Sequence, residues 1–438
     1  MTGRSRSMWL SWCLSGALAA GQVVAPAPLP SNDAIPRIIP VQANQPANPL
    51  EIKEEEPAPA SGDKQLLMEL LSGTSFGDRL DRNGIVIKGL TNGNFTASTA
   101  PKNNLPMAMN YLANQFLLEQ NTLIIEKAID ASSDEFNWGF KSYTILPGSD
   151  YRFTLSNNLA DSQLRMNNGL PNTYGVDPTE FYLQAYLPGL QTDVKVGRFA
   201  TIIYNETIDP TGNRVVSRAL TFMNNPFTNS GGLATTKLND NWTIANGIVA
   251  GNDVFFGPAG NPAYLGGVRW DNTDKTTYLA FNTTLGSAEF NQYLRTNNQY
   301  DVFELQFSHN FSEKFNYLLD VMYSLQNGIS GASIFERDGA TPRGFEGNAT
   351  WYGFVNYFTY TWTDSFASTF RFEVFDDNKG YRTGYEGIYT TYTLGAVWKA
   401  TDGLWLRPEF RYDYNGTTAA YSGSNGLFTA AADFIIRW

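Results

Sequence analysis

The last stretch of the chain alternates without a break. Phe428, Ala430, Ala432, Phe434, Ile436 and Trp438 share one face, and Thr429, Ala431, Asp433, Ile435 and Arg437 share the other. A period of two commits this stretch to a β-strand with one apolar face. A final strand of about ten residues that ends on an aromatic ring fits the closing strand of a membrane-spanning barrel, where that ring reaches the interfacial aromatic girdle. The other reading of the stretch alone is an edge strand of a sandwich.

Composition narrows the choice. The chain has 438 residues and a net charge of -11, with 14% aromatic and only 17% charged residues, and Gly, Asn, Thr and Tyr are abundant. That mixture suits strands with one greasy and one wet face. No segment after the N-terminal run holds the 18 or more consecutive apolar residues of a spanning helix. The acidic balance, without Lys and Arg clusters, argues against a nucleic-acid partner.

The N-terminus reads as a series of processing and linking segments. Arg4 and Arg6 precede an apolar run from Met8 to Leu18, and Ala17-Leu18-Ala19 supplies small residues for cleavage, so 1–19 reads as a signal peptide. Lipidation at Cys13, the single cysteine, is the weaker alternative because bulky Trp12 precedes it. Residues 20–63, rich in Pro and Ala and carrying Glu54-Glu55-Glu56, read as a disordered periplasmic linker. In 64–83, Leu66, Leu67, Leu70 and Leu71 are spaced for a short lead-in helix at a barrel rim, with a pore plug or a docking helix as alternatives.

From residue 84 to 438 every segment reads as a strand. The predicted spans are 84–98, 112–127, 136–145, 179–188, 192–203, 228–237, 241–252, 263–271, 276–286, 299–309, 314–325, 349–361, 365–377, 387–398, 404–414 and 426–438. In 314–325, Phe315, Tyr317, Leu319, Val321, Tyr323 and Leu325 oppose Asn316, Asp320 and Ser324. The links alternate in length, with 189–191 short, 204–227 long, 238–240 short and 253–262 long. About sixteen strands with short turns at one end and long loops at the other define an all-β fold, an up-and-down antiparallel transmembrane β-barrel. Arg198 falls on the apolar phase of its strand, and a phase-resetting bulge is expected there.

The side chains that carry chemistry are sparse. The one histidine, His309, sits in phase with Phe303, Leu305 and Phe307 beside a predicted turn, which suits an interface belt and leaves no base for a Ser-His-acid triad. His and Cys metal sites are absent, Asp376-Asp377-Asn378 lacks calcium-loop spacing, and neither a metal nor a cofactor is expected. The inward phase carries charge: Asp193 with Lys195, Glu304, Asp320, Arg371 with Glu373, Arg407 with Glu409, and Arg411 with Asp413. Interleaved acid and base on a wet inner face is how pores shape their internal field, so these residues are the predicted pore lining, and the charges are expected to keep most of their hydration. The long stretches 146–179 and 204–227 are candidates to fold inward and narrow the lumen, or to remain surface loops.

The segments YLPGLQTDVKVGRFATII from Tyr186, PFTNSGGLATTKLNDNWTIANGIVAGND from Pro226, YLGGVRW from Tyr264 and KTTYLAFN from Lys275 resemble the OmpL-like β-barrel porin family, over about 78–438. The resemblance implies a transporter architecture without catalytic residues. It also implies that Phe434, Ile436 and Trp438 form the C-terminal signal read by the barrel-assembly machinery. Tyr204-Asn205-Glu206 departs from the family pattern, which has a Gly before an aromatic and an acid.

The expected function is therefore an outer-membrane porin for passive diffusion of small hydrophilic solutes or ions, not an enzyme. The expected partners are outer-membrane lipid, the assembly machinery and, by analogy with barrels of this size, two further copies in a homotrimer. A closed barrel whose long loops bind an external partner is the rival.

Overall fold

The computed structural model describes residues 66–165, 172–256, 262–291 and 296–438. The signal-peptide and linker readings lie outside the described residues.

The strands are β1 (Ile85–Ser98), β2 (Gln115–Lys127), β3 (Asn137–Gly148), β4 (Gly175–Leu187), β5 (Thr192–Ala200), β6 (Thr228–Lys237), β7 (Trp242–Asn252) and β8 (Ala263–Asp271). They continue with β9 (Thr277–Asn291), β10 (Thr296–Asn310), β11 (Phe315–Phe335), β12 (Pro342–Thr363), β13 (Phe366–Asp377), β14 (Gly387–Thr401), β15 (Leu404–Asn415) and β16 (Gly426–Arg437). Each pairs antiparallel with its chain neighbours, and β16 returns to β1 to close the barrel. Closure removes both sheet edges, which otherwise leave unpaired backbone groups in hydrocarbon.

The closing seam runs from Leu90 opposite Arg437 to Ser98 opposite Thr429. Trp438 extends it, with its N–H donating to the Gly89 carbonyl at 2.9 Å and the Gly89 N–H donating back at 2.7 Å. The Trp438 indole N–H also donates to Thr91 Oγ1 at 3.1 Å. Ile436 is exposed on the outside while Asp433 and Ile435 are buried inside, as the alternation requires.

The longest departure from the predicted spans is in β11 and β12, which run 21 and 22 residues. Alternation stops at Leu325 and resumes at Ala349, yet the β11–β12 ladder continues to Phe335 opposite Pro342 through two register shifts, which break the period of two. The long link between β2 and β3 is held as a single turn by Asn137, whose Nδ2–H donates to the Asp130 carbonyl at 2.9 Å.

Arg198 does not sit on a bulge, since β5 pairs in unbroken register with β4 and β6. The preceding Gly197 takes φ +140°, and a Cβ there would meet the Phe181 carbonyl oxygen at 2.4 Å. Arg198 is fully buried, donating to Asp177 Oδ1 at 2.7 Å and to the Thr154 carbonyl at 2.6 Å. A partnered guanidinium replaces the expected change of register.

Before the barrel, α1 (Leu66–Leu71) and α2 (Gly77–Arg82) lead into β1. The leucine stripe is not the packed face. Met68 is buried and its Sδ accepts the Ile87 N–H at 3.3 Å, whereas Leu66 and Leu70 are exposed. Two short helices, α3 (Tyr151–Thr154) and α4 (Leu220–Met223), lie in the long connections after β3 and β5.

Candidate functional site

Segment 201–227, between β5 and β6, folds into the barrel. Nearly all its side chains are buried, and it makes its contacts with the inner wall. Tyr204 opens it with φ +84°, a left-handed conformation rare outside glycine. The strain is offset by burial of the ring, which packs on Phe222 at 5.3 Å between centroids.

One side of the segment is held by charge. Arg371 on β13 donates through Nη1 to Glu206 Oε1 at 2.6 Å and to the Ser217 carbonyl at 2.7 Å. Glu373, two residues on, caps α4: its Oε2 accepts the Leu220 N–H at 2.9 Å and its Oε1 the Thr221 N–H at 2.6 Å. A short helix leaves its first N–H groups unsatisfied, and a carboxylate from the opposite wall satisfies them here. On β15, Arg411 grips Asp413 through Nε at 2.8 Å and Nη2 at 2.6 Å, while its Nη1 donates to the Arg218 carbonyl at 2.6 Å. Arg407 similarly uses Nε to reach Asp433 Oδ1 at 3.0 Å and Nη1 to reach the Pro210 carbonyl at 2.6 Å. Glu409 Oε2 accepts the Ser217 N–H at 2.8 Å. The guanidinium fork suits this double duty, one edge for a carboxylate and the other for loop carbonyls.

These pairings differ in part from the spacing of the sequence. Arg411 with Asp413 pairs as spaced. Arg371 instead meets Glu206 of the inward segment, and Arg407 meets Asp433, which lies directly opposite it on β16. Asp193 and Lys195 stand 3.9 Å apart, with Lys195 partly exposed. Glu304 and Asp320 lie on the inner wall of β10 and β11, and both are buried. The expectation that such charges keep most of their hydration does not hold: Arg371, Glu373, Arg407, Glu409, Arg411 and Asp413 are all 2% exposed or less. They are wrapped by segment 201–227.

The opposite side is apolar, and sequence reading missed it. Ile202, Ile203, Phe222, Met223 and Phe227 pack with inward Leu233, Val249, Leu265, Val302, Leu318 and Met322. The sequence signal was there, since Leu318 and Met322 share the phase of Asp320, but a strand apolar on both faces reads as one with no clear inside.

The connection after β3 joins the same assembly. Gln120 Nε2 donates both to Asp150 Oδ2 at 2.8 Å and to the Ile208 carbonyl at 2.7 Å, which ties two inward connections together. Burial raises the Asp150 carboxyl to about 6, against the lowering effect of Gln120 and Arg218.

The remaining candidates have structural duties. Asp377 Oδ2 accepts from Arg382 N, Thr383 N and Thr383 Oγ1 at 2.9, 2.8 and 2.9 Å, so it staples a turn. His309 Nδ1 meets Thr277 Oγ1 at 2.7 Å and its ring stands edge-on to Phe311 at 4.5 Å, beside the turn end.

A closed sixteen-strand antiparallel barrel, apolar outside and with a connection folded into its lumen, is the architecture of an outer-membrane channel. The family described as "Putative beta-barrel porin-2, OmpL-like" matches residues 84–437, and the chain belongs to it. It is thus a porin of the bacterial outer membrane. Among curated proteins no sequence matches. Solved structures share the fold. The anion-selective porin from Comamonas acidovorans superposes with a TM-score of 0.53 at 11% identity, covering 81% of this chain and 99% of that one. The outer membrane channel DcaP of Acinetobacter baumannii gives 0.52 at 10%, covering 80% and 97%. Salmonella typhi OmpF, in complex with daunomycin, gives 0.51 at 11%, covering 82% and 99%.

Proposed function

We propose that small hydrophilic solutes or ions diffuse passively through this barrel past segment 201–227, whose seating against the inner wall sets the cross-section. The observation that carries this is the set of hydrogen bonds that Arg371, Arg407 and Arg411 donate to that segment and that Glu373 accepts from it. Asp193, Lys195, Glu304, Asp320, Glu409 and Asp413 complete the proposed inner surface. None of these groups is arranged as a nucleophile with a base, and the barrel acts without catalysis. Purified protein in planar bilayers should give stable conductance steps; repeated silence from correctly folded protein overturns the reading. Arg407→Ala, which leaves Asp433 without its cation, should move the reversal potential in a salt gradient toward cations.

The N-terminal linker lies in the periplasm on this reading, lipid surrounds the outer face, and three copies associate. Phe434, Ile436 and Trp438 are the proposed assembly signal. Trp438→Ala should reduce the amount of folded barrel in the outer membrane, measured by heat-dependent gel mobility, while leaving unit conductance unchanged.

A second reading, a barrel whose loops bind an external partner, draws on the burial of the inner charges. Segment 204–227 is no longer its candidate, because it lies inside. The better one is a cleft of about 440 Å³ at the loop end, lined by Phe335, Arg337, Asp338, Arg343 and Glu386.

A further inference from the structure

Most of the inward arginines in this barrel hold a carboxylate, but two neighbouring inward carboxylates are without such a cation among the described residues. Glu304 and Asp320 are 1% and 0% exposed, and among the described residues neither forms an ion pair with a Lys or Arg. They stand on the apolar side of the lumen, among Val302, Leu318, Met322 and Val355. Two carboxylates in such a place are strongly disfavoured unless something positive joins them.

The register shows how the groups gather. Gln306 lies directly opposite Asp320, and Asn282 directly opposite Glu304, so the four side chains form a compact quartet on the inner face of β9, β10 and β11. Asn282 Nδ2 donates to Glu304 Oε2 at 2.7 Å, and Gln306 Nε2 donates to Glu304 Oε1 at 3.0 Å. Donating both amide nitrogens to one carboxylate leaves the amide oxygens over. Asn282 Oδ1 and Gln306 Oε1 are buried without a donor. Glu304 and the backbone of Asn205 come near Asp320, yet neither Asp320 oxygen meets a donor in hydrogen-bond geometry. The result is a buried group of oxygens that lack protons to accept, covered by Tyr204 and Asn205 of the inward segment.

We propose that this quartet binds a hard divalent cation of the calcium type. Carboxylate and amide oxygens are the ligands Ca²⁺ takes, six to eight of them at about 2.3 to 2.6 Å, and a charge of +2 matches the two carboxylates. Among the described residues no group of three or more His, Cys, Asp or Glu converges anywhere, so the amide oxygens are what make the site. This revises the sequence expectation of no metal, which considered His and Cys ligands and contiguous acidic loops. A cation here also explains why Tyr204 and Asn205 sit where they do, since a filled site presents a neutral surface for the inward segment to cover.

The test uses the full chain refolded in detergent free of lipopolysaccharide, so that lipid-bound ions do not contribute. Calcium binding is followed by isothermal titration and by thermal unfolding, and Tb³⁺ is added as a luminescent substitute excited through Tyr204 and Tyr278, whose rings lie near the carboxylates. The expected result is a single saturable site, an unfolding midpoint raised by several degrees, and sensitised Tb³⁺ emission that excess Ca²⁺ removes. Asp320→Asn and Glu304→Gln should each weaken binding by about tenfold or more. Asp274→Asn, in the exposed turn between β8 and β9, should leave it unchanged. Heat-dependent gel mobility verifies that each variant is folded. No saturable binding by the native protein, binding unaltered in both quartet variants, or a stability that follows pH and ignores Ca²⁺ would each overturn the proposal, the last by showing a shared proton in place of a metal. Binding is read without a current, so the outcome is independent of whether the barrel conducts.

Discussion

The two sides of the lumen hold the same segment by different physics. From β6 to β12 the wall offers Leu233, Val249, Leu265, Leu318 and Met322 to the rings of 201–227. From β13 to β16 it offers Arg371, Glu373, Arg407 and Arg411 to the segment's backbone. Apolar contact is non-directional and fixes the segment's depth, whereas hydrogen bonds from a guanidinium fork fix its register. A segment held by only one of these would slide or tilt.

That contrast can be broken from the charged side first. Arg371→Ala should cost about 3 to 5 kcal/mol, because Glu206 stays buried without its cation. Urea unfolding of the refolded barrel measures it, and unit conductance should change in the same variant; a cost below about 1 kcal/mol would show the segment to be seated by its apolar side alone. The apolar side is probed by Phe222→Ala. Phe222 is fully buried between Tyr204 and Phe227, at 5.3 and 5.2 Å between centroids, and its loss should cost about 3 kcal/mol. Unlike Arg407→Ala, it should leave the reversal potential where it was.

The smallest effect sharpens the comparison through pH. Burial holds the Asp150 carboxyl at about 6, above its value in the unfolded chain of about 3.9. Between those values the folded state keeps a proton the unfolded state has released, so stability falls as pH rises through that window and stays lower above it. Asp150→Asn should abolish this fall and raise stability at pH 7 by roughly 1 to 3 kcal/mol, read as unfolding midpoints from pH 4 to 8. A native protein whose midpoint rises across pH 4 to 6 from this residue would contradict the assignment.

Much of the barrel was legible because a bilayer imposes a period of two on every crossing. The ends of β6, β8 and β13 fall within a residue of the predicted spans, since alternation and turn residues coincide there. Legibility fails where that pressure lifts. Residues 326–335 and 342–348 are strand whose alternation is broken by register shifts, and Leu66 and Leu70 are a helical stripe that faces outward. The candidate residues were legible as partners only in part: Arg411 pairs with Asp413 as spaced, but Arg371 looked paired with Glu373, whereas its carboxylate is Glu206, 165 positions away.

The sequence by itself determined the strand number, the two faces of most strands and the antiparallel order, because these follow from local alternation and from connection length. The final strand's aromatic end belongs to this class, since its phase fixes which side of the wall Trp438 takes. Tertiary structure alone decided what fills the lumen. Whether 201–227 turns inward, which carboxylate meets which arginine, and why Glu304 and Asp320 stand together with no arginine or lysine paired to them among the described residues depend on contacts between residues far apart in the chain. A periodic pattern states which way a side chain points; only the closed barrel states what it meets there.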